Sequence, residues 1–370
     1  MEEPMKSKGA EDSAPALALC AGIVFVLTVL LGTQTAPVLA QQVPVQQVSM
    51  RPETVPLKTL PVTFDRDYGA AIARLGQGKY GEGRLHQMDA TLVEIPPGGK
   101  VPAHRHLAEE MIYIVAGRGY TNMWTGSGAN KKRYDWSASD VLSPSLNVWH
   151  EHVNASTTEP ARFVSMTSMP LMKRIFGDAR FLTSSDYVFE ERWQKGMMEP
   201  KFLSIVRPRN GRNLTDGSSM SIGHMIRDMA NMKMPAVWGD TEYPETGINV
   251  VPPDDEAQGT LALTGMAGNR LFEWQNREYI REYVTHEGSN HHHAWEVVYI
   301  CPKGEMEMLL KRVGSDQMRK VLWQEGDLLI VEADEVHYPG SKVVGTRFLQ
   351  FKVSGYFRGT GIPGGGMGGG

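Results

Sequence analysis

The sequence predicts an all-β protein of two tandem barrels with a few short helices, and two observations lead to that fold class. First, short runs rich in β-branched and aromatic residues recur along the chain. Examples are ATLVEI at 90–95, EMIYIVAG at 110–117, RFVSM at 162–166, WEVVYI at 295–300 and DLLIVEA at 327–333. Gly, Pro, Asn and Asp bound these runs, as expected where strands give way to turns. Second, the chain repeats itself. A His cluster, an acid and a strand ending in Gly occur at 104–117 and again at 290–304. An acidic turn, a strand and a His occur at 140–150 and again at 326–337. Repetition of a whole module means two copies of one fold, and 370 residues suffice for two domains.

The elements follow in order. Residues 16–32 form an apolar run, and Val38 and Ala40 then stand at the −3 and −1 positions of a cleavage site before Gln41. Residues 1–40 therefore predict a signal peptide and a secreted or periplasmic protein. The same run is near the lower limit for spanning a bilayer, so a membrane anchor with the chain facing outside is the alternative. Residues 41–60, rich in Gln, Pro and Val, predict a linker. The first barrel is expected over 61–195, with short helices within 168–195, and the second over 200–358. The Gly-rich end, 359–370, cannot bury apolar surface and predicts a disordered tail.

Composition narrows the function classes. The chain carries 38 Lys and Arg against 42 Asp and Glu, a net charge of −4, without a basic block. Nucleic acid is therefore not an expected partner. Its two cysteines are Cys20 and Cys301, so cleavage of the leader leaves Cys301 without an internal disulfide partner.

The strongest chemical signal lies in the first copy. His104, His106 and Glu110 share one parity, and residues of one parity on an extended strand face the same side. All three can point into a barrel, Glu110 after a turn at 107–109. The segment DVLSPSLNVWHEHVN supplies His150, with Asn147 suited to a left-handed turn before it. Three imidazoles and a carboxylate suit a divalent transition metal: Fe or Mn first, then Ni, Cu, Co or Zn. His152 shares the parity of His150 and is a candidate for contact with a substrate. Arg105 is another.

Two segments carry a family resemblance. GKVPAHRHLAEEMIYIVAG is similar to the first cupin motif and DVLSPSLNVWHEHVN to the second. Ser139 and Asn147 stand where the second motif usually has Gly. The resemblance implies two cupin jelly-roll barrels, a bicupin, similar to gentisate-dioxygenase-like and oxalate-decarboxylase-like proteins. Because Glu110 is retained, the set matches the three-His, one-Glu cupins.

In the second copy the motif spacing and parity with Glu296 select His292. The expected second site is Asn290, His292, Glu296 and His337, with His291 as an alternative brought inward by a bulge. The expected function is a metal-dependent dioxygenase-type oxidoreductase acting on a small aromatic or organic acid. The alternatives are a Mn-dependent, oxalate-decarboxylase-like lyase and a non-catalytic protein that binds metal or a small molecule. Beyond a small-molecule substrate, a homo-oligomer is the expected association.

Overall fold

The computed structural model describes residues 54–76, 84–199, 203–209, 212–232, 256–263, 269–274, 292–315 and 318–353. Residues 1–40, the predicted signal peptide, and 359–370, the predicted tail, lie outside them.

The first barrel is two facing sheets. In the seven-stranded sheet, hydrogen-bonded neighbours run Met225–Ile226, Val141–Leu142, Glu110–Ala116, Ala161–Thr167, Asp89–Ile95, Ala70–Leu75 and Thr63–Asp65. The four-stranded sheet runs Lys100–His104, Trp149–Asn154, Arg118–Trp124 and Lys132–Ser137. Period-2 alternation sets the inner face of this smaller sheet. Thr121 and Met123 are buried on one strand and His150, His152 and Asn154 on its neighbour. Ile72, Val93, Ile112, Met123 and Phe163 belong to the apolar core of this barrel.

The second barrel repeats the plan. An eight-stranded sheet includes Val297–Lys303, Asp327–Val331 and Arg347–Lys352, facing a three-stranded sheet of Met318–Gln324, Glu305–Arg312 and Glu335–Gly340. The repeat extends to backbone conformation. Gly117 (φ 84°) and Gly304 (φ 85°) follow the corresponding strands Glu110–Ala116 and Val297–Lys303, and each lies against the start of a later strand. A Cβ at Gly117 would come within 2.8 Å of the Ala161 backbone, and one at Gly304 within 3.0 Å of that of Thr346. Glycine is required at both for this reason.

The predicted linker is corrected over its last residues. Thr54–Pro56 is a strand of the second barrel, paired antiparallel with Asp327–Leu329. The turn after it is clamped: Arg162 Nη1 donates to the carbonyls of Leu57, Lys58 and Leu60 (3.0–3.1 Å), while its Nε donates to Glu94 (2.6 Å). Buried Leu57 and Leu60 complete the anchorage. Residues 41–53 lie outside the described residues. A reverse exchange crosses the expected domain boundary, because Met225–Ile226 pairs with Val141–Leu142 in the first barrel. Each exchange covers a strand edge that would otherwise be bare. One apolar core joins the modules, with Leu92, Tyr113 and Met166 from the first and Val298, Ile300 and Phe351 from the second.

Three short helices, Met169–Phe176, Ala179–Ser184 and Glu190–Gly196, follow the last strand of the first barrel. Gly177 ends the first in a left-handed conformation (φ 68°), and Asp178 caps the second through the N–H groups of Arg180 and Phe181. Buried His224 ties the third to the barrel. Ser145 Oγ donates to the Arg192 carbonyl (3.0 Å) and accepts from His224 Nε2 (2.7 Å), and Tyr134 donates to His224 Nδ1 (2.9 Å). Every donor and acceptor of this chain is satisfied by a neutral imidazole.

Burial holds the His224 pKa down, from 6.5 to about 3. Between those values the unfolded chain binds a proton that the folded chain does not, so stability falls as pH falls through that window. One such group contributes at most ~1.4 kcal/mol per pH unit. Urea unfolding of metal-free protein at about pH 7 and about pH 5 should show the loss, and His224→Asn should flatten it by about one proton's worth. Identical slopes in the two proteins would remove His224 from this role.

Candidate metal centre

His104 ends one strand and His150 lies on the next. The two are direct antiparallel partners, and their rings approach to 4.1 Å between centroids. His106 lies in the turn that follows, and Glu110 opens the next strand in the other sheet. The segment leading to His150 carries two positive-φ residues. Ser139 (φ 72°) and Asn147 (φ 60°), the residues standing where glycine is usual, both adopt the left-handed conformation. Asn visits this conformation more readily than most residues, and here its amide is held by long-range bonds. Asn147 Nδ2 donates to the carbonyls of Ser185 (3.1 Å) and Tyr187 (2.8 Å), and its backbone N–H donates to the His106 carbonyl (3.0 Å). The last bond ties the turn before His150 to the turn carrying His106.

The tautomers follow from the partners of Nδ1. That nitrogen faces the Pro102 carbonyl in His104 (2.8 Å), the Ala108 carbonyl in His106 (2.9 Å) and the Val148 carbonyl in His150 (2.8 Å). A carbonyl only accepts, so each Nδ1 carries the hydrogen and each neutral ring presents an Nε2 lone pair. Ligand atoms of the three residues lie within 4.8 Å of one another. Glu110 Oε2 stands 3.4 Å from His106 Nε2 and 3.2 Å from His150 Nε2. Ser165 donates to the other oxygen, Oε1 (2.5 Å), and so aims Oε2 at the imidazoles.

This geometry tests whether a metal fits. Glu110 Oε2 and His150 Nε2 are buried without a hydrogen-bond donor. Burial raises the Glu110 pKa, but positive charge on the His106 and His150 side outweighs it and holds the carboxyl well below its usual range, so a cation between carboxylate and rings is favoured. Lone pairs and a carboxylate aimed at one point repel one another unless a cation stands between them. Carbonyl-fixed Nδ1–H groups behind the rings are the outer support that metal-bound histidines require. The four side chains therefore fit a divalent ion.

A cavity of about 290 Å³ opens on one side of the cluster. His104, His106 and Glu110 lie in its wall together with Tyr68, Asp89 and His152, and His150 stands behind. His152 is buried and differs from the ligands in its second contact. Trp136 Nε1 donates to Thr121 Oγ1 (3.0 Å), and that hydroxyl is 2.8 Å from His152 Nδ1. All three groups are satisfied when the hydroxyl donates to Nδ1, which leaves the His152 proton on Nε2. Arg105 does not line the cavity. Its guanidinium lies 4.8 Å over the Trp149 ring, because its parity is opposite to that of its histidine neighbours. Asp89 and Tyr68 carry no motif signal, and only the folded barrel places them here.

The expected second site is corrected at Glu296. Asn290 and His291 lie outside the described residues. Glu296 is spoken for: its carboxylate accepts from the backbone N–H groups of His86 (2.5 Å), Gln87 (2.9 Å) and Met88 (3.3 Å). Gln87 reciprocates, its Nε2 donating to the Ala294 carbonyl (2.8 Å) and its Oε1 accepting from the Glu296 N–H (3.2 Å). His292 faces Asp334 (3.4 Å), while His293 packs 5.1 Å from the buried His337. Parity fails because 292–296 are not a strand; pairing begins at Val297. Among the described residues His104, His106 and His150 are the one group of three metal-ligating side chains.

The model of the cupin domain family matches residues 91–167. Among solved structures, salicylate 1,2-dioxygenase from Pseudoaminobacter salicylatoxidans, in a crystal with gentisate adducts, aligns with a TM-score of 0.52 and 14% identity. The alignment covers 82% of this chain and 78% of that one. A second structure of that dioxygenase gives 0.50 and 14%, covering 82% of each chain. Bacillus subtilis oxalate decarboxylase gives only 0.41 and 11%, covering 81% and 76%. No curated protein sequence matches. At such identities the likeness is one of fold. The metal-fitting wall at 104–150 thus falls within the stretch that the cupin domain model matches, on an all-β chain similar in fold to a salicylate 1,2-dioxygenase.

Proposed function

We propose that this chain is a metal-dependent cupin enzyme of the dioxygenase type, acting on a small organic molecule outside the cytoplasm. One observation carries the reading: three histidine ligand atoms converge with Glu110 beside two of them, His104, His106 and Glu110 lie in the wall of a cavity with His150 behind, and the open side faces the space a substrate would fill. A storage or structural site would instead be closed by its ligands. His104, His106, Glu110 and His150 would hold the ion, and three nitrogens with one oxygen suit Fe or Mn. Bound there, a redox-capable ion would supply the one-electron chemistry that lets dioxygen react with an organic molecule.

The chain's own residues do the rest. Val101 and Phe163 give the cavity apolar wall, which limits water beside the ligands. His152 keeps a proton on Nε2 for a hydrogen bond to whatever enters. Burial and neighbouring His150 hold its pKa down to about 3, so it acts as a neutral donor. Export is supported by the apolar run at 16–32 with its small-residue cleavage pattern. An oxalate-decarboxylase-like lyase is the second reading, favoured by Glu110 as a fourth ligand beside the three histidines.

Elemental analysis of purified protein should find about one transition-metal ion in this site, and His106→Ala should lose most of it. Full occupancy in the variant would remove His106 from the ligand set. Turnover of small phenols should need oxygen and stop under argon. Oxalate turnover that continues under argon would select the lyase, and tight metal binding without turnover of any candidate would leave a binding protein.

A further inference from the structure

The cavity facing the metal ligands has a charge pattern of its own. Besides Glu110, its wall carries Asp89 and, at the exposed rim, Asp67. No Lys or Arg belongs to the described lining. Of the nearby arginines, Arg74 bonds Asp65 (3.1 Å) with its guanidinium 5.8 Å over the Tyr68 ring, and Arg105 stacks on Trp149. Asp89 is held in place from two sides. Thr167 Oγ1 donates to its Oδ1 (2.6 Å), and the three residues before it are fixed through their backbone N–H groups by the Glu296 carboxylate. Tyr68 stands with Asp89 in the wall; burial, then the Asp89 charge, push its pKa up to about 12, so it stays a neutral phenol.

Resting on the metal-centre reading above, we infer that this cavity selects an uncharged, hydroxyl-bearing substrate over a carboxylate. A molecule between the ligands and Asp89 can donate O–H hydrogen bonds to that carboxylate. A carboxylate in the same place could reach the bound ion, but it would meet two acids beside it and no Lys or Arg of the described lining, in a small site where water screens poorly. The acid expected from the sequence is thereby replaced by a phenol or polyol as the substrate class.

Catechol and salicylate make a matched pair, because each is an ortho-substituted phenol and they differ in a second hydroxyl against a carboxylate. Calorimetric titration of the metal-loaded full chain should find catechol bound at least ~10-fold more tightly. Asp89→Asn should shrink that ratio severalfold, chiefly by improving salicylate. Asp67→Asn, an exposed change that does not threaten folding, should move the ratio the same way by less. Salicylate bound as tightly as catechol by the parent chain, or a ratio that neither variant moves, overturns the inference. Metal content measured on the same samples separates the two readings. Failure to take up about one ion per chain overturns the metal centre and this inference with it, whereas loaded protein that prefers salicylate overturns the inference alone.

Discussion

Three imidazole lone pairs and a carboxylate oxygen are turned toward one another in the first barrel, and the surrounding structure exists to keep them there. Each histidine is locked by a main-chain carbonyl two residues away, at Pro102, Ala108 and Val148. Those carbonyls belong to the same short segments as the rings, so the tautomer is set by local backbone shape. Long-range contacts then hold the segments together. The His104–His150 strand pairing joins two of them, and the Asn147–His106 hydrogen bond joins the third. Ser165, on a strand of the opposite sheet, aims the carboxylate. An arrangement of mutually repelling acceptors is costly for an empty protein, which is why it reads as a place built for a cation.

Much of this was legible in the sequence where strands carry it. Period 2 puts His150 and His152 on the buried face of Trp149–Asn154, and it separates Arg105 from its histidine neighbours. The module repeat is visible as well, down to the glycines at 117 and 304. The same rule misleads at 292–296, because parity has meaning only inside a paired strand and pairing starts at Val297. Nor could periodicity find Asp89 and Tyr68. They reach the cavity because a turn and a distant strand fold to one wall, and no local pattern encodes that meeting. The strand Thr54–Pro56 was equally hidden, being three residues long with a proline and pairing with a partner far along the chain.

The two copies have diverged in what their shared glutamate does. Glu110 faces the imidazoles, whereas Glu296 accepts backbone N–H groups from the other module. The second carboxylate thereby becomes part of the support for the first cavity, since the segment it grips leads directly into Asp89. Across the modules a position of metal-ligand type has turned into a fastening between them.

The exchanged strands bear on how this molecule can be divided. Cutting the chain between its halves would strip Met225–Ile226 from the first sheet and Thr54–Pro56 from the second, leaving unpaired backbone along both breaks. Arg162 would keep its grip on a turn whose strand had lost its neighbour. Although the repeat suggests two separable units, neither half would be a finished object, and each would offer an adhesive rim to the next copy it met.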